Sequence, residues 1–154
     1  MKRMKIVLLA VLLTVSAALA GKAQVLMSGD VDFRVYNSRI RLFVENITNL
    51  GDETTDRLRL RVWGTKDRDD HFSEGRLLAV GLIPRVFPHD TFHDLRRTLH
   101  VFRPPTGWYY VTLTLEERTF DDEGQVHWEL RDVVEFDGLQ YFSRSGHDHF
   151  PFPF

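Results

Sequence analysis

The sequence predicts an all-β protein, an immunoglobulin-like β-sandwich of about seven antiparallel strands that follows a signal peptide. Apolar and polar residues alternate with a period of two along most of the chain, which is the pattern of half-buried strands. Clusters of turn-forming residues separate the alternating segments at intervals typical of a sandwich. The sequence holds no sustained apolar stripe at helical spacing, so a helical domain is not predicted.

The N-terminus has the pattern of a secretory signal peptide. The positive charges of Lys2, Arg3 and Lys5 precede an apolar run at residues 6–15. Ala18-Leu19-Ala20 then gives a small-residue cleavage pattern, and the apolar run is too short to span a bilayer. We therefore expect a periplasmic or secreted protein with no membrane span after cleavage. The expected division is a signal peptide at residues 1–20, a sandwich domain at 21–142 and an aromatic, proline-containing tail at 143–154.

The composition narrows the class of partner. Removal of the signal peptide leaves 17 basic and 22 acidic residues, a net charge of −5, so nucleic-acid binding is not expected. There is no cysteine, which excludes disulfides and lipid attachment through a cysteine. The fold must therefore be held together by its hydrophobic core.

The first three strands are predicted by alternation between turn signals. Apolar and polar residues alternate within residues 31–35 and again within residues 39–45. The cluster Asn49-Leu50-Gly51-Asp52 ends the second strand, since Asn and Gly tolerate positive φ. Residues 57–63 form the most regular strand of the chain. Its outward side chains are mostly arginines, which must be solvated or paired.

Four more strands are expected in the second half of the chain. Residues 76–86 follow a charged loop at residues 66–75 and contain Pro84, with Pro88 just beyond. Because proline cannot donate to a ladder, this strand is expected at a sheet edge or at a crossing between sheets. The remaining strands are predicted at residues 95–101, 109–115 and 126–136, and the only candidate helical turn lies at residues 89–94.

The alternation also selects the core. The inward positions of the strands are expected to be buried, since a slip of one residue would turn all of them to solvent. The expected core residues are Val35, Leu42, Val44, Leu58, Leu60, Val62, Val111, Leu113 and Leu115.

Three short motifs occur in an order that a known family shares. Asn49-Leu50-Gly51 ends an alternating strand, Leu82-Ile83-Pro84 makes a bend, and Pro105-Thr106-Gly107 leads, after one inserted residue, to Tyr109 in a late strand. In this order the chain resembles bacterial extracellular immunoglobulin-like modules of the CARDB type, named for cell-adhesion-related domains, over about residues 31–136. The resemblance implies an immunoglobulin-like fold and carries over no catalytic residue.

Two neighbouring tyrosines suit a structural role at a sheet corner. Tyr109 or Tyr110 is expected to form a tyrosine corner, in which the hydroxyl donates a hydrogen bond back to the main chain. Stacking of these tyrosines on a ligand is the alternative interpretation.

Several histidines and carboxylates are candidate metal ligands. On one helical turn His89 and His93 would share a face, as two metal ligands should, although no third ligand lies nearby in the sequence. Oxygen-rich loops can gather around calcium. No cofactor is favoured, and calcium is the alternative. Exposed polar loops remain the favoured interpretation. The calcium candidates are Asp67, Asp69 and Asp70, with Asp121, Asp122 and Glu123 in a second loop. In the tail, His147 and His149 flank Asp148 and are candidates for a copper, nickel or zinc site.

Aromatic residues are the candidates for contact with a partner. Phe43 shares the arginine-bearing side of its strand, and Trp63 lies out of phase with the core positions of its own strand. If the other sheet covers these side chains they belong to the core, which is favoured; if they are exposed, aromatics and arginines together suit a protein or sugar surface. The tail residues Phe150, Phe152 and Phe154 either fold back on the domain or dock on a partner.

The favoured function is an exported, non-catalytic binding or structural module that contacts a protein in the cell envelope or the extracellular space. The sequence has no Gly-x-Ser-x-Gly motif, no glycine-rich phosphate loop and no cysteine nucleophile, so an enzyme is not expected. The alternatives are a carbohydrate- or calcium-binding accessory domain and a small outer-membrane β-barrel.

Overall fold

The computed structural model describes residues 24–36 and 38–143. The expected signal peptide at residues 1–20 and the tail candidates Phe150, Phe152 and Phe154 lie outside the described residues. Among the described residues, no helix is long and apolar enough to cross a membrane.

The described chain is all-β and forms two antiparallel sheets, as the alternation predicts. One sheet has three strands in the order β1-β2-β5, and the other has four in the order β4-β3-β6-β7. The seven strands are β1 (Val25–Tyr36), β2 (Arg39–Asn49), β3 (Leu58–Thr65), β4 (Arg76–Ile83), β5 (Thr91–His100), β6 (Gly107–Phe120) and β7 (Val126–Phe142).

The position of β4 distinguishes this arrangement from the constant-type immunoglobulin order. In that order the fourth strand pairs with the fifth, whereas here β4 pairs with β3 at the edge of the four-stranded sheet. The edge position expected from Pro84 and Pro88 is thus confirmed. The segment after β4 then crosses to the other sheet, where β5 pairs with β2.

The core lies between the two sheets and consists of the inward residues of both. Ile40, Val44 and Leu95 of the three-stranded sheet contribute to the same apolar cluster as Leu60 and Leu113 of the four-stranded sheet. Fully removing such side chains from water stabilises the fold by about 1.5–3 kcal/mol each. All nine expected core residues are buried: Val35, Leu42, Val44, Leu58, Leu60, Val62, Val111, Leu113 and Leu115.

The tyrosine corner is present at the start of β6. The Tyr109 hydroxyl donates a hydrogen bond of 2.8 Å to the main-chain oxygen of Pro105, and the ring is buried edge-on against Phe142. Tyr110 points to the other side of the strand and is half-buried. The prediction is therefore confirmed for Tyr109.

The expected helical turn at residues 89–94 is wrong. Strand β5 begins at Thr91, and the backbone takes positive φ at His89 (56°) and Asp94 (51°), which a right-handed helix cannot contain. The polar spacing of this segment resembles one helical turn, but pairing with β2 imposes an extended conformation.

Bulges extend two strands beyond their predicted ends. Strand β1 starts six residues earlier than expected, because Gly29, at a φ of 76°, forms a bulge that shifts the alternation. Strand β7 continues past Phe136 to Phe142 through a second bulge around Gly138, at a φ of 88°. Both strands looked shorter in the sequence because the period of two breaks at each glycine.

Candidate binding surfaces

The outward side of the four-stranded sheet carries a paired arginine cluster. We call this surface the paired face and define it by Arg59, Arg61, Trp63, Glu116 and Trp128. The β3–β6 register places Glu116 directly opposite Arg59. The Arg59 Nε donates to Glu116 Oε2 at 2.7 Å, and the Arg61 Nη1 donates to Oε1 at 3.4 Å. Glu116 is only 5% exposed, so its charge is both buried and neutralised.

Tryptophans cover the paired face. The Arg61 guanidinium lies 4.0 Å from the centre of the Trp63 ring, and Arg59 lies 4.0 Å from the centre of the Trp128 ring. Such cation–π contacts are worth roughly 0.5–2 kcal/mol, depending on how dry they are. Burial is the main cause that lowers the pKa of Arg61, and the charge of Glu116 opposes it.

Trp63 is buried, but the opposite sheet does not cover it. Trp63 is 8% exposed, and the centre of its ring lies 6.0 Å from that of Phe72. Phe72 belongs to the β3–β4 loop at residues 66–75. The Trp63 Nε1 donates to the Thr114 hydroxyl at 3.1 Å. Trp63 is therefore buried by Phe72 of the loop and by Arg61, so the favoured interpretation of this ring as core covered by the other sheet is wrong.

A second group of ion pairs lies on the same sheet, near the start of β3 and the end of β6. Arg118 donates two hydrogen bonds to Asp56, at 3.0 and 2.9 Å, and Arg85 lies 3.1 Å from the same carboxylate. The Arg118 hydrogen bond is the first of several causes that hold the pKa of Asp56 below its ordinary value. Glu117 accepts from Arg131 at 2.9 Å and from the Asp56 main chain at 2.8 Å.

The β3–β4 loop also forms one wall of a cleft of about 410 Å³ beside the paired face. Asp69, Asp70 and His71 line it from the loop, and Tyr110 and Glu135 line it from the sheet. Near this cleft Arg68 of the loop forms an exposed ion pair of 3.1 Å with Asp137 of β7, which contributes little to stability. The cleft therefore combines aromatic and carboxylate groups in a partly enclosed space.

The predicted metal ligands are spread over separate places. His89 bonds to Asp52 at 2.9 Å, whereas His93 on β5 bonds to Asn46 at 2.7 Å, so the shared helical face is wrong. Asp67 donates its main-chain N–H to Asp70 at 3.4 Å. Across residues 24–36 and 38–143, no three His, Cys, Asp or Glu side chains are grouped as a metal site would require.

The outward side of the three-stranded sheet carries exposed arginines. We call it the open face and define it by Arg34, Arg39, Arg41 and Arg96 together with Tyr36 and Phe43. The register places Arg41 between Arg34 on β1 and Thr98 on β5, and it places Phe43 between Asp32 and Arg96. All four arginines are exposed, whereas Phe43 is half-buried. A shallow groove of about 490 Å³ runs over this surface.

The arginines of the open face have few carboxylate partners. Arg34 lies 3.7 Å from Asp32, and both side chains are mostly exposed, which makes this a weak pair. Among the described residues, no carboxylate lies within 4.0 Å of the charged groups of Arg39, Arg41 or Arg96. Arg41 instead lies 5.7 Å from the centre of the Tyr36 ring, and Arg96 lies 5.4 Å from that of Phe43.

The pairing of Arg34 with Arg41 is unfavourable within the domain itself. The two arginines stand directly opposite each other on neighbouring antiparallel strands. Like charges in this arrangement are destabilising, typically by a fraction of a kcal/mol. A local conflict of this kind is expected where a surface serves binding rather than stability.

The two sheets are joined along one side by a partly buried carboxylate. Asp132 lies at a bulge in β7 and accepts the main-chain N–H of Met27 on β1 at 2.6 Å. Burial raises the pKa of Asp132, and its hydrogen bonds with the Met27 and Val133 N–H groups oppose that rise. We call this contact the β1–β7 seam.

The favoured interpretation of Phe43 as a core residue is wrong, and the structure fits the alternative, an aromatic residue on an uncovered arginine-bearing surface. Alternation puts Arg39 and Arg41 on the side of Phe43, and the structure shows that the other sheet does not cover this side. The contribution of Arg34 and Arg96 could not be found in this way, because it depends on which strands flank β2.

Comparison with protein families, with curated proteins and with solved structures finds no match in any of the three. The fold and the surfaces therefore define an all-β, two-sheet protein with one paired and one open arginine-bearing face. The resemblance to CARDB-type modules stays a prediction.

Proposed function

We propose that this protein is an exported, non-catalytic binding module that contacts a protein partner through the open face. The observation that carries the proposal is a row of exposed arginines beside half-buried Phe43. Among the described residues, the only ion pair that the arginines of the open face make is that of Arg34 with Asp32. Arginine and aromatic side chains are enriched where protein interfaces gain most of their affinity. The resemblance to adhesion-related modules favours the same kind of function.

The groups on the open face suit binding more than group transfer. Guanidinium groups have no lone pair to offer at ordinary pH and act as fixed donors with planar geometry. The groove above Phe43 is shallow and lined by Arg34, Arg41 and Arg96. Such a surface recognises shape and charge.

Site-specific photo-cross-linking in the cells that produce the protein tests this proposal. A photo-reactive residue replaces Thr98, which is exposed opposite Arg41 on the open face. The control position is Leu82, which is 58% exposed on the outward side of the other sheet. We expect a discrete cross-linked protein from position 98 and none from position 82. The reverse pattern, or no product from either position, would contradict a contact through the open face.

The cleft beside the paired face favours one second candidate, a carbohydrate-binding accessory domain. Tyr110 and Phe72 offer aromatic surface and Asp70 and Glu135 offer acceptors around the same space, as sugar hydroxyls require. Thermal-shift screens with a panel of neutral oligosaccharides, with and without calcium, test it. A sugar-dependent rise in Tm that Tyr110→Ala removes would support this candidate. A flat response to every sugar would set it aside.

A further inference from the structure

We propose that the open face binds an extended acidic segment of a polypeptide whose carboxylates stand at alternate positions. This inference rests on the proposed function and names the chemistry of the partner.

Charge is the first step of the inference. Arg34, Arg41 and Arg96 line one groove together with a single carboxylate, that of Asp32. The whole chain carries a net charge of −2, so the positive charge of this surface is local and runs against the balance of the protein. A locally positive groove with exposed guanidinium groups attracts carboxylates and binds them through charge-assisted hydrogen bonds.

Spacing is the second step. Arg39, Arg41 and Phe43 occupy every second position of β2 and point to the same side of the sheet. Same-side residues of an extended chain recur at about 6.7 Å, because a strand rises by about 3.3–3.4 Å per residue. An extended segment with carboxylates at alternate positions has the same repeat as this arginine row. A compact anion could bridge Arg34 and Arg41, which stand opposite each other, but it could not follow the row along β2 from Arg39 to Phe43.

The aromatic groups give the third step. Phe43 forms an apolar floor at one point of the groove, and Tyr36, which is 60% exposed, stands opposite Arg39 at the other end of the row. A polypeptide offers apolar side chains beside its carboxylates and can cover these rings. A sulfated glycan offers negative charge but fewer apolar groups to cover the rings. The headgroups of an anionic lipid surface would require positive charge along the whole face, whereas this face mixes arginines with aromatic rings. The mixed character of the open face therefore favours a polypeptide.

Two peptides of equal composition provide the central test. One has glutamate at alternate positions with serine between them, and the other has its glutamates in one block. Each is fluorescently labelled and titrated with the full chain. We expect tighter binding of the alternating peptide, and we expect this binding to weaken as salt rises, since salt screens exposed charges over about 10 Å at 0.1 M.

Two double variants locate the binding surface. Arg41→Glu with Arg96→Glu reverses two charges in the groove, and we expect about 100-fold weaker binding from the loss of two charge-assisted contacts. The matched control is Arg57→Glu with Arg76→Glu, which makes the same change at exposed arginines beside and within the four-stranded sheet. The control should bind as the unchanged protein does. Equal thermal unfolding of both variants shows that a loss of binding is not a loss of fold.

Three other results would overturn the inference. Equal binding of the two peptides would contradict the match between alternate carboxylates and the arginine row. Binding of heparin or of phosphatidylglycerol vesicles that is stronger than binding of the alternating peptide would assign the face to a glycan or to a membrane. Failure of both peptides, together with a persistent protein cross-link from position 98, would reject the acidic segment while leaving the proposed function intact. Failure of both the peptides and the cross-link would reject the two together.

Discussion

The two outward faces of this protein both carry arginines at alternate strand positions, but these arginines are paired on one face and exposed on the other. On the paired face Arg59 and Arg61 share Glu116, which faces Arg59 across the β3–β6 pairing, and both lie over tryptophan rings. On the open face Arg41 meets Arg34 across the β1–β2 pairing and projects into solvent. An arginine on a strand therefore stabilises or remains available according to its neighbour on the next strand.

The largest expected effect comes from removing the aromatic cover of the paired face. Trp63→Ala should lower the free energy of unfolding by about 3–4 kcal/mol, because it empties a buried site and removes the stacking surface of Arg61. Phe43→Ala on the open face should cost about 1 kcal/mol, since that ring is half-buried. Urea unfolding of both variants measures the difference. Equal losses in the free energy of unfolding would mean that the aromatic residues of the two faces contribute equally to stability.

The next effect comes from breaking the buried ion cluster. Glu116→Gln should cost about 2–3 kcal/mol, because it leaves two partly buried arginines without a charged partner. Glu53→Gln, at an exposed position, is the control and should stay within about 0.5 kcal/mol of the unchanged protein. Thermal and urea unfolding provide the measurement. A Glu116→Gln protein as stable as the control would show that the cluster does not hold the sheet.

A smaller effect depends on pH. The Arg118 hydrogen bond and the other donors around Asp56 hold its pKa below the ordinary value, so the folded state binds this proton less readily than the unfolded state. The stabilisation is complete above the unfolded pKa of about 4 and is lost as the pH falls through the folded pKa. The difference in Tm between the unchanged protein and Asp56→Asn should therefore be largest near neutral pH and shrink in acid. A constant difference would contradict this assignment.

The smallest effect belongs to the open face. Arg41→Thr should change the stability by less than about 0.5 kcal/mol, and any change should be a gain, because the substitution removes the like-charge pair with Arg34. Arg61→Thr on the paired face should instead lose about 1–2 kcal/mol through its ion pair and its stacking contact. A loss for Arg41→Thr as large as that for Arg61→Thr would remove the distinction between the faces.

Local pattern was sufficient to predict the strands and the core. The period of two depends only on neighbouring residues, so Leu58, Leu60 and Val62 could be assigned to the inward side without knowing any partner strand. The Tyr109 corner is equally local, because the hydrogen bond to Pro105 spans four residues.

The difference between the two faces could not be predicted, because it depends on strand order and register. Glu116 lies 57 residues from Arg59 in the sequence, and nothing in either strand indicates that they pair. The histidine prediction failed for a related reason, since pairing of His93 with Asn46 determines the conformation of its segment. Loop burial of Trp63 likewise requires the position of Phe72, which alternation does not specify.

The β1–β7 seam has a consequence for the order in which the chain folds. The hydrogen bond from Met27 to Asp132 closes a loop of 105 residues between the first and the last strand of the described chain. A chain that crosses a membrane or leaves the ribosome N-terminus first presents β1 long before β7 is available. Until β7 is in place, the edge of β1 that does not pair with β2 lacks this hydrogen bond and is open to strands of other chains. Contacts of such long range form slowly, so we expect the β1–β7 seam to form late in folding.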